Sequence, residues 1–343
     1  MLSGGKTTMG TELRRPPCAA TPPAQLAERL AAMAMPCPMH PSVYQIEAAV
    51  IDWSREVGLD ADPGAHRLAG RAFAGYDTGT ASLFARWLTW MSRFREDPAA
   101  FAGVLAVAEG GEPGPLPLER SFANLWRACA PGMSQGWRER FLAGLTAQHE
   151  ALLVTGTPVG DRPPAGDRLS AGDRPPAGSG SPFRDRTSTG EHPPIQGCPS
   201  IEGYPALGRN AFGRYLFDLV EPCAGVEVPA PVQESPRWRA VVEASGDVAA
   251  WCDDLTTGRG YVAVASAWLD RPDDAAVEWV IDRVVARMEE LWTAARAIPL
   301  LLERHDLGFA ASREVTRVVC AFLTIPRAYL EWFLESSRYR HLG

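Results

Sequence analysis

The stretch YQIEAAVIDWSREVGL (residues 44–59) decides the fold class. Its apolar side chains recur at helical spacing along one face and its charged side chains fall on the other, which is the pattern of an amphipathic helix against a core. That face carries Ile46, Ala49, Val50, Trp53 and, one turn further on, Val57. Asp60 to Gly64 then end the helix.

The same spacing recurs along the chain, and no convincing run alternates as a strand does. We therefore predict an all-α fold of about ten helices in a single domain over residues 36–343, because neither half has a self-sufficient set of packed faces. The helical segments are SLFARWLTWMSRF (82–94), SFANLWRACA (121–130), WRERFLAGLTAQHEALLV (137–154), WRAVVEASGDVAAWCDDL (238–255), AAVEWVIDRVVARMEELWTAA (275–295) and SREVTRVVCAFLTIPRAYLEWFLESSRY (312–339).

Two segments look unable to form a core. Residues 1–35 read as a disordered leader without the apolar stretch of a secretory signal, so we expect a cytoplasmic protein. Residues 157–200 are rich in Pro, Gly and Ser and include the repeats GDRPPA, GDRLSA and GDRPPA at 160–177. This period is too short and too polar to stack as a solenoid, which predicts a disordered loop within the domain.

Composition excludes several function classes. The 343 residues are 46% hydrophobic with 11 Trp, enough for a sizeable core, and the net charge of −7 gives no basic footprint for nucleic acid. No window approaches 18 uninterrupted apolar residues, so no membrane span is expected. The six His and seven Cys show no metal-ligand spacing, and no GxSxG, GxGxxG or P-loop occurs.

Three short features are candidates for chemistry, and each alone has a simpler explanation. Arg209 stands four residues before Gly213, where a helix must break and a cation can hold a phosphate, although a simple helix kink is the better explanation of the pair taken alone. The adjacent Arg338 and Tyr339 offer a guanidinium and a phenol to an anion, or merely a solvated helix end. The third is the acidic stretch WCDDLTTGRGY (251–261).

In this order along the chain, the features are more specific as a set. The opening HPSVYQIEAAVIDWSREVGL, then LFARWLTWM, Arg209 with Gly213, DDLTT and finally LEWFLESSRYR resemble the bacterial class I terpene cyclases over about residues 36 to 340. The resemblance implies a helical bundle around a central hydrophobic cavity, in which three Mg2+ ions hold a prenyl diphosphate. Departure of the diphosphate would leave an allylic cation that aromatic ring faces stabilise.

The resemblance assigns roles residue by residue. Arg209 matches the family's diphosphate sensor, Phe212 the linker and Gly213 the effector, while Arg338 and Tyr339 match a terminal pair that contacts the diphosphate. Phe212 is expected to line the cavity. The other aromatic candidates for the lining are explained equally well by core packing: Trp87, Trp90, Trp251, Tyr329 and Trp332.

The second metal motif, of the form (N/D)DxxSxxxE, is shortened. Asp253, Asp254 and Thr257 stand at its first positions as expected metal ligands, but Tyr261 occupies the position of the glutamate. Gly260 replaces the basic residue that precedes it, with Arg259 beside it as a candidate diphosphate contact. The run TTGRGYVAV looks as if about two helical turns were deleted, so the helix is predicted to stop at Gly258.

The first, aspartate-rich motif departs further, since it should fall where the chain reads REDPA (95–99). Arg95 takes the place of the first aspartate, Glu96 and Asp97 are the remaining candidate ligands, and Pro98 disfavours the helix that would present them. A guanidinium about 4 Å from a divalent ion is repelled by about 4 kcal/mol at an effective dielectric of 20, so a normal three-metal site is not expected. Arg93 or Arg95 would instead contact the diphosphate directly, unless the segment is only a solvated helix end.

The resulting prediction is a terpene cyclase-like lyase that ionises a prenyl diphosphate (geranyl, farnesyl or geranylgeranyl) with Mg2+ and cyclises the carbocation. One alternative is a catalytically silent homologue that binds an isoprenoid diphosphate or a protein partner; another is a recently broken gene copy. A homodimer is left open, because dimers occur among relatives but no segment here singles out an interface.

Overall fold

In a computed structural model, the described residues are 22–31, 37–62, 64–156, 199–270 and 272–340. Apart from three short 3-10 turns, the regular elements there are all α-helices: α1 (Pro22–Ala31), α2 (Val43–Val57), α3 (Ala65–Ala72), α4 (Thr78–Glu96), α5 (Phe101–Ala108), α6 (Pro117–Cys129), α7 (Gln135–Gly156), α8 (Tyr204–Phe212), α9 (Val220–Ala224), α10 (Ala230–Gln233), α11 (Pro236–Thr257), α12 (Tyr261–Leu269), α13 (Asp273–Arg296), α14 (Ile298–Arg304) and α15 (Phe309–Arg340).

The all-α prediction is confirmed, since the part of the chain just defined holds no strand. The described residues form fifteen helices, whereas the sequence predicts about ten. The difference arises because several helices are only one to three turns long, and periodicity gives little signal at that length. No helix among them is long and apolar enough to cross a membrane.

The long helix α11 is central to the part of the fold that concerns the site. It packs against α13 on one side and α15 on another, and α8 and α12 flank it. Helix α4 packs against α2, α3 and α6 and brings its C-terminal end to α11. The buried apolar side chains of these helices form one continuous core.

Three local breaks lie where the sequence predicts them. Helix α4 ends at Glu96 ahead of Pro98, α8 ends at Phe212 ahead of Gly213, and α11 ends at Thr257 with Gly258 as its cap. Gly213 has φ of +109° and its N–H donates to the carbonyl oxygens of Arg209 and Asn210. A side chain is strongly disfavoured at such a φ, so the glycine fixes the end of α8.

The N-terminal segment differs from the expectation of a disordered leader over 1–35. Within it, α1 packs against α13 and α15, Leu26 is fully buried in the core, and Arg29 pairs with Asp282 at 2.6 Å. This ten-residue helix begins with two prolines and carries only Leu26 and Leu30 among alanines, so its apolar signal is weak in a Pro-rich context. The rest of the leader and the loop predicted at 157–200, apart from its last two residues, lie outside the described residues.

Candidate active site

An ion pair joins the two segments in which metal motifs are expected. Nη2 of Arg95, in the last turn of α4, donates to Oδ2 of Asp253 in α11 at 2.8 Å. The two side chains are 35% and 21% exposed, so the pair remains open to solvent. The guanidinium carbon of Arg95 also lies 5.8 Å from the ring centre of Phe212. The position of the first aspartate therefore holds a cation bound to the second motif.

The charge of Arg95 is secured by its surroundings. Burial alone would lower the pKa of the guanidinium, but the neighbouring Asp253 carboxylate more than offsets this, and the pKa of Arg95 is raised. Arg95 thus carries a permanent positive charge at the C-terminal end of α4, where the helix dipole also favours a cation.

Asp254 is held by a different set of contacts. Its Oδ2 accepts a hydrogen bond from the Tyr204 hydroxyl and another from the Tyr261 backbone N–H, both at 3.0 Å. Burial raises the pKa of Asp254 to about 7, although the two donors oppose the shift. This carboxyl group fastens α8 and α12 to α11.

The remaining positions of the second motif are also engaged within the fold. The Thr257 hydroxyl is exposed and donates to the backbone oxygens of Asp253 and Asp254 at 3.2 and 3.3 Å, as is usual at a helix end. Tyr261 is buried and stacks on the Tyr204 ring with the ring centres 5.1 Å apart. Instead of a glutamate, this position carries an aromatic ring that packs against Tyr204 of α8.

Glu96 and Asp97 are both exposed and do not meet Asp253 in the structure. Glu96 pairs with Arg93 at 2.7 Å on the same helix, and Arg93 also donates to the backbone oxygen of Asp60. Asp97 follows the last residue of α4. Arg93 and Arg95 therefore have separate environments although they are two residues apart.

Arg209 belongs to a second charged cluster. It lies against α11 nearer the N-terminus of that helix than the Arg95–Asp253 pair. Its Nε lies 3.0 Å from Oδ1 of Asp247, and Nη1 lies 3.6 Å from Glu243. Arg287 of α13 donates to the other oxygen of Asp247 at 2.9 Å. Because Asp247 and Asp253 are six residues apart on one helix, the clusters are separated by about 9 Å along its axis.

Asp247 and Arg287 are the site residues that sequence reasoning missed. Burial raises the pKa of Asp247 to about 6, and the two arginines limit the shift. The Asp247 carboxylate lies within ion-pair distance of both the Arg209 and the Arg287 guanidinium groups, which balance its charge. A signal was available in the sequence, because Asp247 is the lone acid in the apolar run ASGDVAAW of α11.

Phe212 and Gly213 lie where the end of α8 meets α4. Phe212 is 2% exposed and meets the Tyr329 ring edge-on at 5.1 Å between centres. A Cβ atom on Gly213 would stand 2.8 Å from both Met91 and Gln148, so the backbone here approaches α4 and α7 closely. Phe212 is thereby positioned beside the Arg95 guanidinium.

The other candidate aromatic residues of α4 lie in the core. Trp87 and Trp90 are fully buried, where the Trp87 indole N–H donates to Sγ of Cys129 and that of Trp90 to the backbone oxygen of Leu118. They pack among aromatic rings of α6 and α7 rather than beside Phe212. Packing is a sufficient explanation for both.

Three further residues are expected to contact the diphosphate: Arg259, Arg338 and Tyr339. Arg259 is exposed in the turn between α11 and α12. Arg338 and Tyr339 lie in the last turns of α15, and their side chains are outside the described part of the structure.

The described residues do not fit a three-ion magnesium site. Mg2+ needs several oxygen ligands in near-octahedral geometry. Among the side chains that the structure describes, no group of three or more His, Cys, Asp or Glu is placed to hold an ion. Asp253 is paired with Arg95, Asp254 is held by two donors, and a guanidinium stands where the first aspartate is expected.

Similarity to known proteins follows the same architecture. Residues 196–260 match the family model described as "Terpene synthase family 2, C-terminal metal binding", a description that implies a divalent metal in that family. Pristinol synthase of Streptomyces pristinaespiralis is 24% identical over 98% of this chain and 91% of its own length. Isoafricanol synthase of Streptomyces violaceusniger is 26% identical over 66% of this chain and 55% of its own.

Solved structures agree in fold. Cucumene synthase superposes with a TM-score of 0.67 at 20% identity, over 88% of this chain and 98% of that one. Germacradien-4-ol synthase from Streptomyces citricolor gives 0.66 at 17% identity, over 86% and 94%. The solved structures show the fold, and the family model and the two Streptomyces synthases support the family resemblance that the sequence predicts.

Proposed function

We propose that this protein is a terpene synthase, a lyase that acts on a prenyl diphosphate and cyclises the resulting carbocation. Support comes from the fold, from a relative aligned over nearly the whole chain, and from the family model that covers the Arg209 and Asp253 segments. The observation that carries the proposal is the meeting of Arg95, Phe212 and Tyr329 beside Asp253, which sets cationic and aromatic groups side by side.

The chain's own residues have distinct tasks in this reaction. Arg209, held by Asp247, and Arg95 are proposed to bind the diphosphate, with Arg259, Arg338 and Tyr339 as further contacts. When the carbon–oxygen bond breaks, its electron pair leaves with the diphosphate, and the ring of Phe212 faces the allylic cation. Loss of a proton or addition of water then ends the cascade.

Mg2+ is the divalent ion that the resemblance implies, and Glu96 and Asp97 remain expected ligands only by that resemblance. Because the described residues do not fit three ions, the roles given above belong to the chain's own side chains alone. The metal requirement is instead tested in the assay.

The experiment is incubation of the purified protein with geranyl, farnesyl and geranylgeranyl diphosphates, with and without Mg2+, followed by gas chromatography with mass detection. A hydrocarbon or terpene alcohol above the boiled control is expected from one of the three. The Arg209→Ala variant should abolish the product, whereas Arg55→Ala, which breaks an exposed pair on α2, should not. Absence of product from all three substrates would refute the proposal.

A second candidate function is a catalytically silent homologue that binds an isoprenoid diphosphate. The specific observation in its favour is that Asp253 is already paired with Arg95 and the glutamate position holds Tyr261. Saturable binding of a prenyl diphosphate without product would support it.

A further inference from the structure

The pairing of Arg95 with Asp253 raises the question of what neutralises a bound diphosphate. Each motif segment has one charged group facing the other, and these two groups are opposite in sign. In a site built from two sets of carboxylates, cations must be added before an anion can bind. Here one cation is part of the chain.

We propose that Arg95 is a built-in cation for the diphosphate, and that a bound diphosphate takes the Arg95 guanidinium from Asp253 so that binding does not require a metal ion. This inference rests on the proposed function for the class of ligand. The inference goes beyond the proposed function because it states how the anion binds: the Arg95 guanidinium changes its acceptor from Asp253 to the diphosphate.

The geometry suits such an exchange. A guanidinium has five N–H donors in a planar fork, and the described contact to Asp253 uses Nη2. Phosphate oxygens match this fork and carry more charge than a single carboxylate. Because the side chain is 35% exposed, an anion can approach it from solvent.

Its neighbours leave few competing partners in the described structure. Phe212 lies 5.8 Å from the guanidinium and offers only its ring. Asp254 is fastened by Tyr204 and Tyr261, so Asp253 is the carboxylate that a diphosphate must displace. The charge of Arg95 is permanent, which makes the site ready for an anion in the absence of added ions.

The exchange predicts opposite effects for the two partners. Without Arg95 the anion loses charge-assisted hydrogen bonds, and removing them typically weakens binding by about 10-fold to 100-fold. Without the Asp253 charge, the competing acceptor is weaker and the anion binds more tightly. A role for Asp253 as the ligand of a diphosphate-bound ion predicts the reverse for that substitution.

The test is isothermal titration of the full-length protein with inorganic diphosphate in EDTA, repeated with Mg2+. We expect saturable binding in EDTA that Arg95→Ala weakens at least ~10-fold and Asp253→Asn strengthens ~3-fold or more. Arg55→Ala is the control, because it removes the same charge from an exposed ion pair with Asp52 on α2; it should change affinity by less than ~2-fold. Thermal melts of each variant check that the protein is folded.

Binding of diphosphate only when Mg2+ is present, or weaker binding by the Asp253→Asn variant, would overturn the inference. A gain in affinity cannot arise from misfolding, so the Asp253→Asn variant keeps the test decisive even if Arg95→Ala is unstable. The outcome is also independent of turnover. Product formation with strictly Mg2+-dependent binding would leave the proposed function standing without this inference, and binding in EDTA without any product would do the opposite.

Discussion

The backbone N–H of Tyr261 donates to Oδ2 of Asp254, so the first residue of α12 is tied to an acid near the end of α11. The same oxygen accepts the Tyr204 hydroxyl. The Asp254 carboxyl group thus joins α8, α11 and α12 at the turn that follows the shortened second metal motif.

The half-buried Asp254 makes folding stability depend on pH. Because burial raises its folded pKa to about 7, the unfolded chain releases this proton near pH 4 and the folded protein retains it. The free energy of unfolding should therefore fall as pH rises from about 4 to about 7, by on the order of 1 kcal/mol per pH unit from this group. Asp254→Asn keeps the acceptor for both donors and should remove that part of the slope.

Urea unfolding at pH 5 and pH 8 measures the effect on both proteins. The Asn variant should be the more stable of the two at pH 8 and nearly equal to the wild type at acid pH. A variant less stable than the wild type at pH 8 would show that Asp254 is held in its charged form.

Gly260 is required by the close packing of the same turn. It has φ of +56° and ψ of −119°, and a Cβ atom would stand 2.0 Å from Asp254 Oδ1 and 2.2 Å from the Tyr204 hydroxyl. Gly260→Ala should lower the free energy of unfolding by about 3 kcal/mol, since strain and a clash add. The control is Gly258→Ala, which has φ of +63° but no atom within 4 Å of the new Cβ and should lose only about 1 kcal/mol. Equal losses in urea unfolding would show that the packing of the turn contributes nothing.

Arg140 pairs with two buried acids away from the site. It donates to Asp218 at 2.8 Å and to Glu221 at 2.7 Å, and Glu221 is 2% exposed. Arg140→Ala should lower the free energy of unfolding at pH 7 by about 3 kcal/mol, because buried acids are left unpaired. Arg55→Ala, in an exposed pair with Asp52, should cost less than about 1 kcal/mol in the same urea titration. A loss for Arg140→Ala as small as the control would contradict this account.

Substitutions of Phe212 and Trp87 should distinguish a residue that lines the substrate cavity from one that only packs in the core. Phe212 lies beside Arg95, so Phe212→Leu should change the ratio of terpene products formed from the accepted prenyl diphosphate. Trp87 is fully buried among rings of α6 and α7, so Trp87→Phe should lower the free energy of unfolding by about 2 kcal/mol and leave the product ratio unchanged. Gas chromatography and urea unfolding measure the two effects; an altered product ratio for Trp87→Phe would contradict this division.

Local sequence predicted the helix ends well. Pro98, Gly213 and Gly258 act on their own backbone, so their effects are readable without knowledge of the fold. The absence of strands among the residues that the structure describes was predictable for the same reason, since periodicity belongs to each segment.

Side-chain partnerships were beyond local sequence. Arg95 and Asp253 are 158 residues apart, and their contact depends on how α4 meets α11. In the sequence, Asp247 only interrupts an apolar run. The arginines that balance its charge, Arg209 and Arg287, come from other helices, so its role is visible only in the folded protein. Glu96 was expected to face the site, but its position at the last turn of α4 lets it pair with Arg93 instead.

The packing of α1 bears on where the protein can be shortened. Leu26 fills a fully enclosed place in the core, and the helix that carries it rests on α13 and α15, the second of which ends in the expected Arg338 and Tyr339 contacts. A truncation that begins at residue 36, the apparent start of the domain by sequence, would open a cavity under α15. Expression for assays should therefore begin upstream of Pro22.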